Sequence, residues 1–389
     1  MSYVSSNLNR FYAAVETAYG VVPTIAGEDA FRALSADLEL VQQYLERHDK
    51  SGSRSFAGIA AGGRRQARFE IEAYLMSGGQ PGSAPDLAPF YQAVCGATPL
   101  VFAGGTAAAG CTTTLVAFCA PHGLQAGQAI GSGGELRFVT AVPNATSVEV
   151  SPAFSAAPVE SSAILGSVAY PLAATLPSIS IFDYWDPPAA QQRILNGGAV
   201  DTMTVEVKGD FHTVKFASHG QDLIDSFTFT AGQGGLAAFP AEPAGRAYAG
   251  SPMAGHFGQL WLGASPSQFS TLVAASLKLE NGIELRNNEV GSAVPLGIAP
   301  GDRQVKFDFD LYETDDAATQ ALYVAARDRS PVIAFLQLGG AAGHLFGAYM
   351  KAIEPQPPRY DDGARHLKWS FTGARASGSA DDELWVAFG

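Results

Sequence analysis

One stretch of this chain occurs in it twice. Residues 38–62 (LELVQQYLERHDKSGSRSFAGIAAG) align without a gap on residues 277–301 (LKLENGIELRNNEVGSAVPLGIAPG), and nine of the 25 positions are identical. The matching residues of the first stretch are Leu38, Leu40, Arg47, Gly52, Ser53, Gly58, Ile59, Ala60 and Gly62. Average usage would give roughly two matches. After a one-residue slip, RQARFEIEAY at Arg65–Tyr74 lies over RQVKFDFDLY at Arg303–Tyr312, with Arg, Gln, Phe and Tyr kept. A period this long is that of a duplicated domain, not of a solenoid.

A length of 389 residues leaves room for two or three domains, each with its own core. The hydrophobic fraction of 47% excludes a disordered chain. No apolar run is long enough for a membrane span, and the N-terminus lacks the basic start and apolar core of a signal peptide. The expectation is therefore a protein made and kept in a cytoplasm, with no membrane partner. Cys95, Cys111 and Cys119 are too few for a disulfide framework and not spaced for zinc, so they read as buried free thiols. A net charge of −13 argues against a protein that grips phosphate, though not against one that DNA must pass without sticking. With 43 Gly, 23 Pro and only 16% charged residues, the composition is that of a loop-rich β protein with large contact surfaces.

Residues 1–25 read as an arm, with a short helix over Asn9–Ala18 ended by Gly20 and Pro23. Strands are predicted at Ala36–Leu40 and Ala67–Leu75, with a polar hairpin-like stretch around His48–Ser55. In Ala67–Leu75, Phe69, Ile71 and Ala73 alternate with Arg68, Glu70, Glu72 and Tyr74. A helix follows at Asp86–Cys95. The second copy repeats this order, with a strand at Val305–Tyr312 and a stronger helix at Asp315–Asp328. Between about Gly104 and Ser167 the sequence turns to small residues, Thr and Val, with strand candidates at Thr113–Phe118, Leu136–Val142, Ser147–Val150 and Ile164–Tyr170. The second copy has no counterpart, so this is a small β domain inserted in a loop. The parent domain then resumes at Ser178–Tyr184, Thr202–Val207 and Phe211–Phe216, as the second copy does at Val332–Leu338, Leu345–Ile353 and His366–Phe371. The domain reading is an arm at 1–25, a first domain at 26–100 and 168–235, an insert at 101–167, a linker at 236–254 and a second domain at 255–389.

Catalytic and metal signatures are missing. No HExxH, GxSxG, GxxxxGK[ST] or strand-to-helix GxGxxG occurs. His212 and His219 are seven residues apart, on opposite faces of a strand. Asp315/Asp316 open a helix, and Asp361/Asp362 and Asp381/Asp382 sit in turns without a DxDxDG loop. No enzyme, metal or cofactor is expected. The informative set is the acidic strand face: Glu70 and Glu72 correspond to Asp308 and Asp310. On one copy this is an ordinary solvated face. Kept in both copies, it suggests a shared electrostatic requirement.

The run from Gly52 to Tyr74 and its twin from Gly291 to Tyr312 carry a family resemblance. So do QRILNGGAVDTMTVEVKGDFHTVKF and FSTLVAASLKLENGIELRNNEVG. Together these segments resemble the major tail (tail tube) protein of long-tailed bacteriophages, over essentially the whole chain outside the insert. The resemblance implies a mainly β fold in which each tube domain is a pair of packed β-sheets with a flanking helix. Six such domains close their inner sheets into an intersubunit β-barrel, and rings stack into a tube. The insert resembles the small Ig-like domains that decorate such tubes. Duplication implies homotrimeric rings of pseudo-sixfold symmetry in the virion tail. The implied partners are further copies of the chain and the tape-measure, tail-terminator and distal-tail proteins, with genome DNA passing through without specific binding. On this reading Glu70, Glu72, Asp308 and Asp310 line the lumen, and Phe69, Ile71, Phe307 and Phe309 face the intersheet core. A tube terminator, a baseplate protein or a contractile inner tube on a related fold is the alternative.

Overall fold

The alternation at Arg65–Tyr74 becomes a strand whose apolar side is sealed: Ala67, Phe69, Ile71 and Ala73 are buried, while Arg68 is exposed and Glu70 and Glu72 are half-exposed. A slip of one residue would exchange the two sets, so the register is fixed by burial. The structure is a computed structural model that describes residues 4–389 apart from Ala57, Ala61, 186–190, Lys208, 246–249 and Ala364. It is mainly β, with 47% strand against 8% helix.

The first half runs β1 (Asn9–Val15), β2 (Ala30–Phe31), β3 (Ser35–Gln42), the hairpin strands β4 (Leu45–Glu46) and β5 (Ile59–Ala60), β6 (Arg65–Tyr74) and α1 (Ala88–Cys95). After β7 (Leu100–Phe102) come β8 (Gly105–Thr106), β9 (Leu115–Ala117), β10 (Ala129–Ser132), β11 (Glu135–Asn144), β12 (Ser147–Ser151) and β13 (Ala163–Ile164). Strand β14 (Ser167–Tyr170) leads to β15 (Ile179–Trp185), β16 (Gln192–Val207), β17 (Thr213–Gly220) and β18 (Asp222–Asp225). The second half holds β19 (Gly258–Gly263), β20 (Ser267–Phe269), β21 (Leu272–Glu280), β22 (Glu284–Leu285), β23 (Ile298–Ala299) and β24 (Gln304–Tyr312). It ends with α2 (Ala317–Asp328), β25 (Val332–Ala341), β26 (His344–Glu354), β27 (Arg359–Asp361), β28 (Lys368–Ala376) and β29 (Trp385–Phe388).

The two halves use the same pairings. Leu38 opposes Phe69 between β3 and β6, and their sequence counterparts Leu277 and Phe307 oppose each other between β21 and β24. Phe216 of β17 faces Ile71, and Phe371 of β28 faces Phe309. Further out, Phe11 faces Phe31 between β1 and β2, and Leu260 faces Phe269 between β19 and β20. The ladder of β15 with β16 shifts register between Ile179 and Ile181, and that of β25 with β26 shifts at the matching place, between Val332 and Ala334. Each half therefore holds one group of strands around β6 or β24, and a second around β15 or β25.

Apolar faces meet between these groups. Phe90 of α1 packs edge-on against Phe31 and lies 5.3 Å from the ring of Phe216, sealing the buried side of β6. Phe309 stacks on Phe371 at 4.7 Å in the second half. One continuous cluster runs from Phe69 and Ile71 to Phe307 and Phe309, at a transfer gain of roughly 25 cal/mol for each Å² of apolar surface buried.

The structure corrects several sequence expectations. Asn9–Val15 is a strand paired with β15 and β2, not the start of a helix; Phe11, Tyr12 and Val15 are strand formers that find a sheet edge. Strand β16 begins ten residues before the expected Thr202, with Asn196, Gly197 and Gly198 buried in it. Of the three thiols only Cys95 is buried; Cys111 is half-buried and Cys119 exposed, both in polar turns of the segment after β7. The stretch 236–254 is not a plain linker either. Leu236 and Phe239 pack against the cluster of Tyr12, Phe182 and Tyr184, and Glu242 pairs with Arg10. Residues 246–249 of that stretch lie outside the described residues.

Candidate functional site

The strands around β6 and those around β24 form one ladder, because the C-terminal half of β16 pairs with β21, from Thr202↔Glu280 to Val207↔Ala275. The order is β3–β6–β17–β16–β21–β24–β28–β27. Its apolar side is the core described above. Its other side is polar and open, and it carries Glu70, Glu72, Asp308 and Asp310 together on one face.

Directly opposed residues in antiparallel strands project to the same side, so the face can be read in rows. One row runs Ser35, Glu72, Lys215, Thr204, Lys278, Lys306 and Arg375. On one side of it lies Asp37, Glu70, Ala217, Thr202, Glu280 and Gln304. On the other lies Tyr74, Thr213, Glu206, Ser276 and Asp308. A mainly basic row is thus flanked by two acidic ones.

The acids outnumber the bases less steeply across the sheet than on β6 and β24 alone, where Glu70, Glu72, Asp308 and Asp310 face only Arg68 and Lys306. Across the sheet the carboxylates are Asp37, Glu39, Glu70, Glu72, Glu206, Glu280, Asp308, Asp310 and Asp361, against Arg68, Lys215, Lys278, Lys306, Arg359, Lys368 and Arg375. Lys215 pairs with Glu70 at 2.6 Å and Lys368 with Asp310 at 3.4 Å. Glu280 receives Lys278 at 3.1 Å and Lys306 at 3.4 Å, and these ammonium groups hold its carboxyl below the usual range. Asp308 has a different task. Its Oδ1 accepts the backbone N–H of Gly373 at 2.6 Å, where the β24–β28 ladder shifts register. Such half-exposed pairs contribute about 0.2–1 kcal/mol each, so they pattern the face more than they stabilise it. Lys306 and Arg68 share the acidic face by the alternation of β24 and β6 themselves, whereas Lys215 and Lys278 were absent from the sequence reading because β17 and β21 show their alternation only once paired with β6 and β24.

The two outer edges of this ladder are alike. Strand β3 pairs with β6, and among the described residues no strand pairs with its other side, where the Leu38 carbonyl accepts only from Arg193 Nη1 at 3.2 Å, whereas its counterpart β21 is paired on both sides. At the far end, β27 pairs with β28 as the end of β16 pairs with β17: Tyr360↔Trp369 answers Val205↔Val214. Val205 is buried beneath β21, while Tyr360 is 58% exposed with its outer side open.

Elsewhere, the segment 101–167 leans on the second half. Phe138 of β11 packs on Phe335, Tyr349 and Trp385. Among the described residues no group of three or more His, Cys, Asp or Glu is placed to hold a metal ion, and no helix is long and apolar enough to cross a membrane. No protein-family model matches the chain, and no curated protein matches it.

Proposed function

We propose that this chain is a structural virion protein that assembles as stacked rings into the tail tube of a long-tailed bacteriophage, the conduit for genome DNA. On this reading the chain is a duplicated tube domain with an inserted small β domain of Ig-like kind, and it carries no catalytic site. Three copies make a ring of pseudo-sixfold symmetry. The inner wall is the open polar face, so Glu70, Glu72, Asp308 and Asp310 line the lumen, Glu70 and Asp308 in the acidic bands that flank the lysine row, Glu72 within that row and Asp310 beyond it. Tape-measure, terminator and distal-tail proteins are the partners at its ends.

One observation carries the reading. The ladder has an internal junction, β16 with β21, and two outer edges, β27 and β3, that are the counterparts of those same strands. An open edge is a liability unless it is paired, and closing a ring removes it. If copies join as the two halves do, β27 of one pairs with β3 of the next. Arg359 then opposes Glu39 and Tyr360 opposes Leu38. Asp361 opposes Asp37, a like-charge contact that Lys368, already 3.2 Å from Asp361, offsets.

Substituting Leu40→Pro places a residue without an N–H on the free side of β3, where only the intermolecular pairing would use it. Sedimentation velocity of wild type should give trimers and larger assemblies, and the variant should stay a folded monomer. A wild type that is monomeric at every concentration would overturn the reading.

A further inference from the structure

The internal junction has a second part, a docked hairpin. Residues 281–301, which follow β21, lie against the start of β6. Arg64 donates through Nη1 to Asn288 Oδ1 at 3.1 Å and through Nη2 to the Asn288 carbonyl at 3.0 Å. The backbone N–H of Arg65 donates to the Ala293 carbonyl at 2.8 Å, and Gln221 Nε2 to that of Pro295 at 2.9 Å. Pro295 and Gly297 are buried as a result.

The matching hairpin after β3 has no such dock. Every residue from Val41 to Phe56 is exposed. Among the described residues, the hydrogen bonds and ion pairs of residues 44–56 stay within the hairpin: Arg47 with Asp49, Ser53 with Ser55, and the Arg47 N–H with the Gly58 carbonyl. Phe56, the counterpart of buried Pro295, is 65% exposed, and Tyr44, the counterpart of half-buried Ile283, is 72% exposed. Its own chain cannot supply the dock. Strand β24 is the sixth in the ladder that β3 begins, about 24 Å away at the usual strand spacing.

The receiving surface is nevertheless present on β24. The counterparts of Arg64 and Arg65 are Asp302 and Arg303. Asp302 is exposed in a cleft of about 500 Å³ that also holds Asp381 and Glu383, both bonded to Arg303 at 2.9 Å. The charges have reversed together on both sides. Glu289 of the docked hairpin, whose carbonyl accepts from Arg64 Nη2 at 3.3 Å, is replaced at the matching position of the undocked hairpin by Lys50, as Arg64 is by Asp302 in a cleft that also holds Asp381 and Glu383.

We propose that this cleft receives the 43–62 hairpin of a second copy of the chain, beside the β27–β3 junction. The inference deepens the assembly reading above and rests on it. The exchanged charges would keep each hairpin from the other's dock, because Lys50 beside Arg64, or Glu289 beside Asp302, meets like charge.

Cysteines at Asp49 and Asp302, in a Cys119→Ser background, test it under mild oxidation, since Asp49 aligns with Asn288 and Asp302 with Arg64. The expected result is interchain disulfides in most chains, with the pair Arg64→Cys/Asn288→Cys forming only intrachain ones. Reversal by Asp302→Lys should lower wild-type assembly at least tenfold, and adding Lys50→Glu should recover it. Assemblies that form normally while the 49/302 thiols stay free, with the 64/288 pair oxidised, would overturn the dock and leave the ring standing. Absence of any assembly in wild type would overturn both.

Discussion

Arg137 donates through Nη1 to Gln337 Oε1 at 3.0 Å, joining the segment after β7 to strand β25. Its guanidinium lies 5.2 Å from the ring of Trp261, 5.4 Å from Phe335 and 5.5 Å from Phe154, and pairs with Glu135 at 2.8 Å. Burial pulls its pKa down to about 10, so it stays charged at neutral pH. Substituting Arg137→Met leaves Glu135 without its cation, though Ser155 still donates to it through its N–H and Oγ. The expected loss is about 3 kcal/mol, read from urea unfolding. A variant as stable as wild type would show the bond is incidental.

The same contact changes what deletion of residues 104–166 should do. The ends are close, since Phe102 opposes Ser167 between β7 and β14. Yet removal would uncover Phe335, Tyr349 and Trp385, now packed on Phe138. An exposed aromatic patch of this kind promotes association. The deleted chain is expected to aggregate, and Phe335→Thr with Tyr349→Thr to restore soluble yield. A deleted chain that is soluble and assembles without those changes would show the segment to be mere decoration.

Charge on the open face should act on DNA through its bands rather than through a uniform acidic field. Asp308 is the wrong residue to change, because losing its bond to the Gly373 N–H unsettles the β28 edge. Converting Glu70, Glu72 and Asp310 to Lys merges the basic row with its neighbour and leaves the fold intact. Assembled tubes of that variant should retain duplex DNA at low salt and release it as salt rises, while wild-type tubes retain none. Equal retention by both would show the lumen charge to be incidental.

Two histidines make stability depend on pH. Burial pushes both His212 and His219 below the ordinary value of 6.5, with Arg68 adding to the effect on His219. The unfolded chain therefore takes up protons that the folded chain resists. Their contribution is present in full above about pH 6.5 and is lost as pH falls toward the lowered values. His212 holds the Phe257 carbonyl through Nε2 at 3.3 Å, so a neutral amide can take its place. The urea midpoint should fall between pH 7.5 and pH 5, and less steeply in His212→Gln. Identical slopes would remove His212 from the account.

Alternation made β6 and β24 legible before any coordinates, and with them the sidedness of Glu70, Glu72, Asp308 and Asp310. What stayed hidden was set by non-local pairing. Lys215 and Lys278 join the acidic face only because β17 and β21 fall beside β6 and β24 in the ladder. Residues 9–15 looked helical because a short amphipathic run has no period of its own, and the edge of β15 decided it. Asp361 read as part of a turn, and the place of its neighbour Tyr360 opposite Trp369 as the counterpart of Val205 needed the register.

The most direct test of the central claim is electron microscopy of the purified, concentrated protein, with rings averaged along their axis. The account predicts tubes with an open channel and threefold rings, their inner wall one unbroken sheet in which Tyr360 of each chain lies opposite Leu38 of the next. Rings of six chains, or tubes whose β3 and β27 edges remain open, would contradict it.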